Sequence, residues 1–418
     1  MSFFLQAAYF ILLARLLGSE QYGIFVGAAA LVSIVSQYSS LGSGMVLLRY
    51  VSQDRRKFRE FWGNAILTTL AVGLCILIAL NFAGKALVGA ASASVLVLVA
   101  LGECTCAKLA ECASQAFQAF EGLRITAILT TLTSAVRLTT VCVMMLTLQH
   151  ATARQWAFAS VIVSFISATA AILTVTHRLG KPVFRPRLIL KNAAEGLNFS
   201  FASSTTSIYN DLDKTMLSRY GMTAANGVYS MAYKIVDISC VPIRSLHSAA
   251  LPRFFKKGVN GARTSVVFAR KILTATLPCA VGSAALLYLC SALIPHLVGK
   301  SFTESVPVLK CLCLLPIFRS LHLSAGDSLT GAGYQRYRTA SQFTAAATNF
   351  GLNLYLIPHF SWHGAAWSSL FTVVLLAVAY WSVLTYTIRR ERVRESGDVI
   401  AAQLQAEESL APQAEFGD

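Results

Sequence analysis

Residues 15–25 read RLLGSEQYGIF and residues 219–229 read RYGMTAANGVY, and both fit R-x7-G-[IV]-[FY]. Each stretch follows an apolar run and precedes another, so each occupies the turn after a first hydrophobic helix. A second, weaker match has nearly the same offset: Leu87-Val88-Gly89 recurs as Leu297-Val298-Gly299. Two matches at equivalent places point to one duplicated bundle. Where each copy holds an even number of spans, the copies run parallel and are related by an axis along the membrane normal.

Working outward from these turns, apolar runs of about 20 residues, the length that crosses a bilayer, fall at 3–17, 24–47, 62–81, 93–119, 125–148, 154–176, 195–218, 224–249, 268–290, 304–330, 337–357 and 364–387. The expected fold is an all-α polytopic membrane protein with about 12 transmembrane helices, in two six-helix lobes related by a pseudo-twofold along the membrane normal. The expected organisation is an N-terminal lobe over 1–176, a basic linker over 177–192, a C-terminal lobe over 193–390 and a solvated, mobile acidic tail over 391–418. Composition agrees: of 418 residues 55% are hydrophobic and 13% charged, with mean hydropathy +0.60, too apolar for a chain that folds in water. The first run is short, about 24 Å of helix against a hydrocarbon core of roughly 30 Å, which predicts a natural start a few residues upstream.

The net charge of +16 does not mark a nucleic-acid binder, because the basic residues cluster between apolar runs. With both termini cytoplasmic, inner segments carry Arg49, Arg55, Arg56, Lys57 and Arg59, then Arg124, then Arg178, Lys181, Arg185, Arg187 and Lys191. The bias continues through Arg253, Lys256, Lys257, Arg263, Arg270 and Lys271, Arg336 and Arg338, and Arg389, Arg390, Arg392 and Arg394, whereas the outer segments hold only Arg15, Lys85, Arg154, Arg219 and Lys300. That asymmetry is the positive-inside pattern of a multi-pass inner-membrane protein. The outer loops are too short for a catalytic domain, and Gly326, Gly331 and Gly333 lack the strand context of a nucleotide-binding loop. All ten cysteines lie in apolar segments, where Cys acts as a small hydrophobe, and Cys104/Cys106 and Cys311/Cys313 lack companions at metal-ligand spacing. No cofactor is expected.

Ionisable residues inside spans are costly and therefore mark function by default. Lys108, Arg137, Asp237 and Arg319 fall near mid-depth, and Glu103, Glu111, Asp211, Asp213, Lys214, Lys234, Arg244, Lys310 and Asp327 lie elsewhere in spans. Lys108 with Glu111, Asp211 with Lys214 and Lys234 with Asp237 are three apart, so pairing on one helix face accounts for them as well as a ligand does. Arg244 and Asp327 are expected to snorkel to the inner interface, and Lys310 and Glu103 to the outer one. Arg137 and Arg319 have no partner at helical spacing on their own spans and must face a cavity or another helix. Among the tyrosines that can line a passage, Tyr22 and Tyr229 flank outer loops and are expected in the interfacial belt.

ARLLGSEQYGIF (14–25), LDKTMLSRYGMTAANGVYSMAYKIVD (212–237) and NFGLNLYLIPHFSWHGAAWSSL (349–370) resemble signatures of the polysaccharide flippases in the multidrug/oligosaccharidyl-lipid/polysaccharide exporter superfamily. The resemblance spans nearly the whole chain. It implies lobes that open alternately to each side and a substrate of sugars on undecaprenyl pyrophosphate. On that reading the partners are the lipid-linked oligosaccharide, membrane lipid and a polysaccharide polymerase, with no nucleic acid. Arg137, Arg319, Lys108, Lys214 and Lys234 are then the candidates for binding pyrophosphate or acidic sugars, since a hydrated cationic passage supplies both solvent and counter-charge. Asp213, Asp237 and Glu111 are the candidates for coupling to an ion gradient. The alternatives are a lipid II-type flippase, whose relatives carry two further spans, and a small-molecule exporter, whose relatives often carry an acid in the first span that 2–17 lacks. An enzyme of lipid-linked glycans would need a large outer loop.

Overall fold

The computed structural model describes residues 2–148, 150–259 and 261–410. Among them there is no strand, and the helices in chain order are α1 (Ser2–Val35), α2 (Ser43–Gln53), α3 (Phe58–Ala100), a π-helical turn (Leu101–Ala107), α4 (Lys108–Ala119), α5 (Leu123–Thr147), α6 (Ala153–Leu179), α7 (Pro186–Arg219), α8 (Thr223–Ser239), α9 (Val241–Gly258), α10 (Ala262–Cys290), α11 (Ile294–Val298), α12 (Ser305–Leu312), α13 (Leu315–Gly331), α14 (Gln335–Phe360) and α15 (Trp362–Leu410). Starts and stops follow local chemistry. Thr152 and Gln155 form a reciprocal capping box at the head of α6, and Pro186, Pro242 and Pro316 open α7, α9 and α13, where a missing N–H costs nothing.

Seven continuous stretches are apolar and long enough to cross a membrane. Two of them, Phe4–Tyr38 and Arg55–Ala119, of 35 and 65 residues, exceed the roughly 20 that one crossing needs and are interrupted within, so each is counted as two spans. Both are broken at a glycine in left-handed backbone, Gly18 (φ 71, ψ 168) and Gly89 (φ 75, ψ 168), a conformation that a side chain resists. The more polar α7, α8 with α9, and α14 complete about twelve spans. Within the spans the structure departs from uninterrupted helices. The second is broken between Val35 and Ser43, where Gly42 (φ 62) sits so close to Gly196 that a Cβ would lie 2.2 Å from its carbonyl oxygen. The tail beyond Arg394, expected to be mobile, continues α15 as helix to Leu410; 411–418 lie outside the described residues.

The chain folds as two compact units. The first comprises Met1–Ile238, Ala285–Cys313 and Ala345–Thr372, and the second Ser239–Ala284, Leu314–Thr344 and the chain from Val373 onward. In the first unit, Phe58, Trp62, Phe117 and Val175 centre one core, and Val32, Leu80, Leu96 and Val99 another. Outside these cores Leu74, Phe82, Leu146 and Phe165 stand more than half exposed, as expected where the solvent is lipid.

The repeat seen in the sequence becomes a physical contact inside the first unit. A Cβ on Gly23 would lie 1.8 Å from the Thr223 carbonyl oxygen and 2.7 Å from Gly227 N, and one on Gly227 would lie 1.9 Å from the Ser19 carbonyl oxygen and 3.1 Å from Gly23 N. The two motif glycines thus pack on each other reciprocally, as residues on a twofold axis must. Two hydrogen bonds follow the same relation: Ser92 Oγ donates to Ile24 O at 2.9 Å and Ser305 Oγ to Val228 O at 3.0 Å. Gly89 and Gly299 both take positive φ, at 75 and 124°, so the short repeated triplet encodes the same turn. Tyr22 and Tyr229, expected in the interfacial belt, are instead buried here, because this turn is packed against its own copy.

In the second unit Phe254 is buried against Ala250 and Ala269, and a Cβ on Gly258 would lie 2.0 Å from Gly331 O. Glu391 ties three segments together: its carboxylate accepts from the Ala262 N–H at the head of α10 (2.8 Å) and from the Tyr334 hydroxyl (2.9 Å). Burial, followed by that hydrogen bond, holds the Tyr334 phenol above its ordinary pKa.

Candidate functional site

In the first unit α1, α4, α5 and α6 enclose a cavity of about 420 Å³. Polar side chains stand among alanine and leucine in its wall: Thr126, Thr130, Thr133, Ser134 and Arg137 come from α5, Glu111, Ser114 and Gln118 from α4, Ser164 and Ser167 from α6, and Gln6 and Tyr9 from α1. The α5 residues recur every three or four positions, which places them on one helix face. Thr133 Oγ1 donates to Leu129 O at 3.0 Å and Ser134 Oγ to Thr130 O at 2.9 Å. With their protons committed to the helix backbone, these oxygens face the cavity as acceptors, suited to hydroxyl donors on a ligand.

Arg137 supplies the positive charge of this chamber. Its Nη2 is 3.4 Å from Glu103 Oε1 on the π-helical turn, and its buried Nε has no hydrogen-bond partner. The arginine without a partner on its own span therefore finds one on a neighbour, and Glu103, expected to reach for the outer interface, turns to Arg137 instead. Glu111 lines both this chamber and a second polar pocket with Lys108, Gln37, Gln115, Ser200 and Ser203. There the buried Lys108 ammonium donates to Glu111 Oε2 at 2.7 Å and to Gln37 Oε1 at 3.0 Å, the pairing its spacing implies.

A second group of charges gathers around α7 and α8. The Lys214 ammonium donates to Asp211 Oδ1 at 2.6 Å and Asn210 O at 2.8 Å and lies 4.5 Å from the Tyr233 ring centre. Ser33 Oγ donates to the other Asp211 oxygen at 2.6 Å. At the next residue of α8, the Lys234 ammonium stands 3.9 Å over the Phe10 ring, a cation–π contact. Phe10 abuts Tyr9, with ring centres 4.7 Å apart, and Tyr9 faces the Arg137 chamber. Asp213 points the other way: 1% exposed, it accepts from the Tyr229 hydroxyl, from Ser369 Oγ at 2.9 Å and from the Lys214 backbone N–H at 2.7 Å. Asp237 is half-buried on α8.

Arg319 is buried on α13 in the second unit. On the same helix Asp327 corrects an expectation, because it does not snorkel. It is 7% exposed and takes His247 Nδ1 at 2.9 Å and Arg338 Nη1 at 3.5 Å.

Sequence reading missed three features. The α5 hydroxyl face was legible as T-x3-T-x2-TS-x2-R (126–137). The Asp213 shell from Tyr229 and Ser369 needs the third dimension. So does the adjoining buried ladder, in which Asn349 Nδ2 donates to Thr372 Oγ1 and Asn353 Nδ2 to Asn349 Oδ1, both at 2.9 Å, and Ser368 donates to Asn353. A larger groove of about 620 Å³, walled by Leu70, Leu74, Leu77, Leu101, Ile162 and Phe165 among others, has no charged side chain to hold a headgroup.

The fold is that of transporters in the MOP superfamily. An inward-facing multidrug resistance MATE family transporter of that superfamily is 12% identical over 92% of this chain and 96% of its own, with a TM-score of 0.74. The lipid II flippase MurJ in an inward closed conformation is 14% identical over 91% of this chain and 85% of its own, with a TM-score of 0.72. An outward-facing MATE transporter gives 0.62 at 13% identity, over 93% and 94%. Residues 1–257 match the polysaccharide biosynthesis protein family, and the chain belongs to it. No curated protein sequence matches the chain closely. These similarities make it an all-α polytopic membrane protein of about twelve spans in two six-helix lobes related by a pseudo-twofold, whose structural neighbours are transporters and flippases rather than enzymes.

Proposed function

We propose that this protein is a flippase that carries an undecaprenyl-pyrophosphate-linked oligosaccharide repeat unit from the cytoplasmic to the outer leaflet of the bacterial inner membrane by alternating access, for surface polysaccharide synthesis. The observation that carries this reading is the chamber of hydroxyl acceptors with one under-satisfied guanidinium, in a chain of the polysaccharide biosynthesis family. A sugar headgroup needs many weak polar partners to replace its hydration and a few cations for its phosphates. Arg137, Lys108, Lys214, Lys234 and Arg319 are assigned the pyrophosphate or acidic sugars. Each of the paired cations sits beside a carboxylate or ring that an anionic headgroup can replace.

Asp213, Asp237 and Glu111 are assigned to coupling with a proton or sodium gradient, and Asp213 is the favoured one. Its carboxylate is hydrogen-bonded by the Tyr229 and Ser369 hydroxyls and the Lys214 backbone N–H rather than by a side-chain ammonium or guanidinium, so binding of a cation there rearranges the shell that holds it. The basic segment over 177–192 is taken as the linker between the N-terminal and C-terminal lobes, with both termini cytoplasmic, a reading supported by the clustering of Lys and Arg in alternate loops. The polyprenyl tail stays in lipid, and a polymerase receives the product.

The test is a deletion strain. Accumulation of undecaprenyl-linked repeat units on the cytoplasmic face, relieved by the intact gene, is the expected result. Accumulation of a peptidoglycan precursor would favour the lipid II reading instead, and an unchanged lipid-linked pool with altered drug sensitivity would favour a small-molecule exporter.

A further inference from the structure

Between α6 and α7 the chain is extended, leaving the helix at Gly180 (φ 124), yet it does not hang free. Val183 N donates to Arg59 O at 2.8 Å, Arg59 Nε donates to Lys181 O at 3.1 Å, and Arg185 N donates to Asn64 Oδ1 at 2.9 Å. Arg185 also pairs with Glu60 at 2.9 Å, and Val183 O lies 2.3 Å from where a Gly63 side chain would begin. This strap is therefore fixed along the first turns of α3, and Gly63 is the residue that lets it come so close.

The fixing has a surface consequence. The strap is held on Arg59, Glu60 and Asn64, directly after the turn that carries Arg55, Arg56 and Lys57; these three, with Lys181 and Arg187, are all exposed. The nearby acids are already engaged: Glu60 by Arg185, and Asp54 by the Arg56 backbone N–H at 3.1 Å and Lys57 at 3.7 Å. Among these cations stand two large apolar side chains, Phe184 at 55% and Leu190 at 80% exposure. Water is a poor solvent for that mixture, since the apolar groups are unburied and the cations repel. The headgroup layer of a bilayer suits both, because phosphates meet the cations while Phe and Leu reach the acyl boundary. The strap lies at that level, leaving the end of the membrane-crossing α6, packed on the start of α3 and leading into α7.

We propose that the strap and the turn before α3 form a docking surface for the headgroups of anionic phospholipids, with Phe184 and Leu190 seated at the acyl boundary. The positive-inside pattern alone requires basic loops but neither a fixed strap nor exposed apolar anchors, one in the strap and one in the first turns of α7. The surface is distinct from the Arg137 chamber, and it does not depend on what the protein carries.

The test uses the full-length purified protein, with phosphatidylglycerol, cardiolipin and phosphatidylcholine as probes, read by retained lipid in native mass spectrometry and by Tm. The wild type is expected to retain the anionic lipids about tenfold better than phosphatidylcholine and to melt higher with them. The triple variant Arg56→Gln/Lys181→Gln/Arg187→Gln should lose most of that preference while keeping its Tm in phosphatidylcholine, which shows that the fold survives. Phe184→Ser should weaken retention without erasing the preference for charge. Equal retention of all three lipids by the wild type, or an undiminished preference in the triple variant, would overturn the proposal. So would anionic-lipid binding that arises only after truncation beyond Arg394, which gives the surface to the acidic tail, or displacement of phosphatidylglycerol by trace undecaprenyl phosphate, which gives it to the cargo lipid.

Discussion

Arg137 has more donors than partners. A guanidinium offers five N–H groups, and at this site one long contact to Glu103 and an unpaired, buried Nε leave it poised for a stronger acceptor. Arg137→Gln removes the charge but keeps a polar side chain in the chamber, and a lost charge-assisted hydrogen bond is worth about 1.5–3 kcal/mol, or roughly tenfold to a hundredfold. Export measured by complementation of the deletion strain should fall by that factor, whereas Arg137→Lys should retain part of it. Thr130→Val with Thr133→Val removes two acceptors at nearly constant volume and should reduce export severalfold without lowering Tm. Gly23 and Gly227 belong to the same scale. With a Cβ placed within 2 Å of a backbone oxygen, Gly23→Ala or Gly227→Ala should cost about 1–3 kcal/mol, as overpacking does. The double variant should cost less than the sum when Tm is measured in detergent, because both substitutions part the same seam.

Elements are where sequence reading was strongest and where its failures have physical causes. Span existence, the six-plus-six count and the turn shared by Gly89 and Gly299 were legible, because lipid demands long apolar runs and a tight turn demands glycine. Interruptions within spans were not. The break before Ser43 depends on how close α7 comes at Gly196, and the π-helical turn before Lys108 carries the Glu103 that meets Arg137 from another helix. Charges three apart, Lys108 with Glu111 and Asp211 with Lys214, were readable because one helix holds both partners. Asp327 was misjudged since its partners, His247 and Arg338, come from α9 and α14. Element junctions give a further prediction. Glu391 on α15 satisfies the first N–H of α10 and the Tyr334 hydroxyl, so Glu391→Ala should destabilise by about 1–2 kcal/mol, as loss of a charged cap does. Glu391→Gln, which keeps an acceptor, should recover much of the loss in the same thermal assay.

At the scale of the molecule, the first unit holds a contact between α3 and α7 on which the proposed alternating-access cycle can be tested. Ser92 and Ser218, on α3 and α7, have hydroxyl oxygens 2.5 Å apart, close enough for a disulfide once both are cysteine. With the exposed Cys75, Cys142 and Cys290 replaced by serine, Ser92→Cys with Ser218→Cys should crosslink under oxidation and halt export, and reductant should restore it. Export that continues in the crosslinked protein would show that this contact need not open during the cycle.

The reciprocal seating of Gly23 and Gly227 also bears on origins. A half-length ancestor that paired with an identical molecule would have met its twin at this one residue, and fusion of the two genes would have inherited the meeting point unchanged. Any enlargement there would have appeared twice, face to face, on the day it arose, so the smallest amino acid is the one such a palindromic joint could keep.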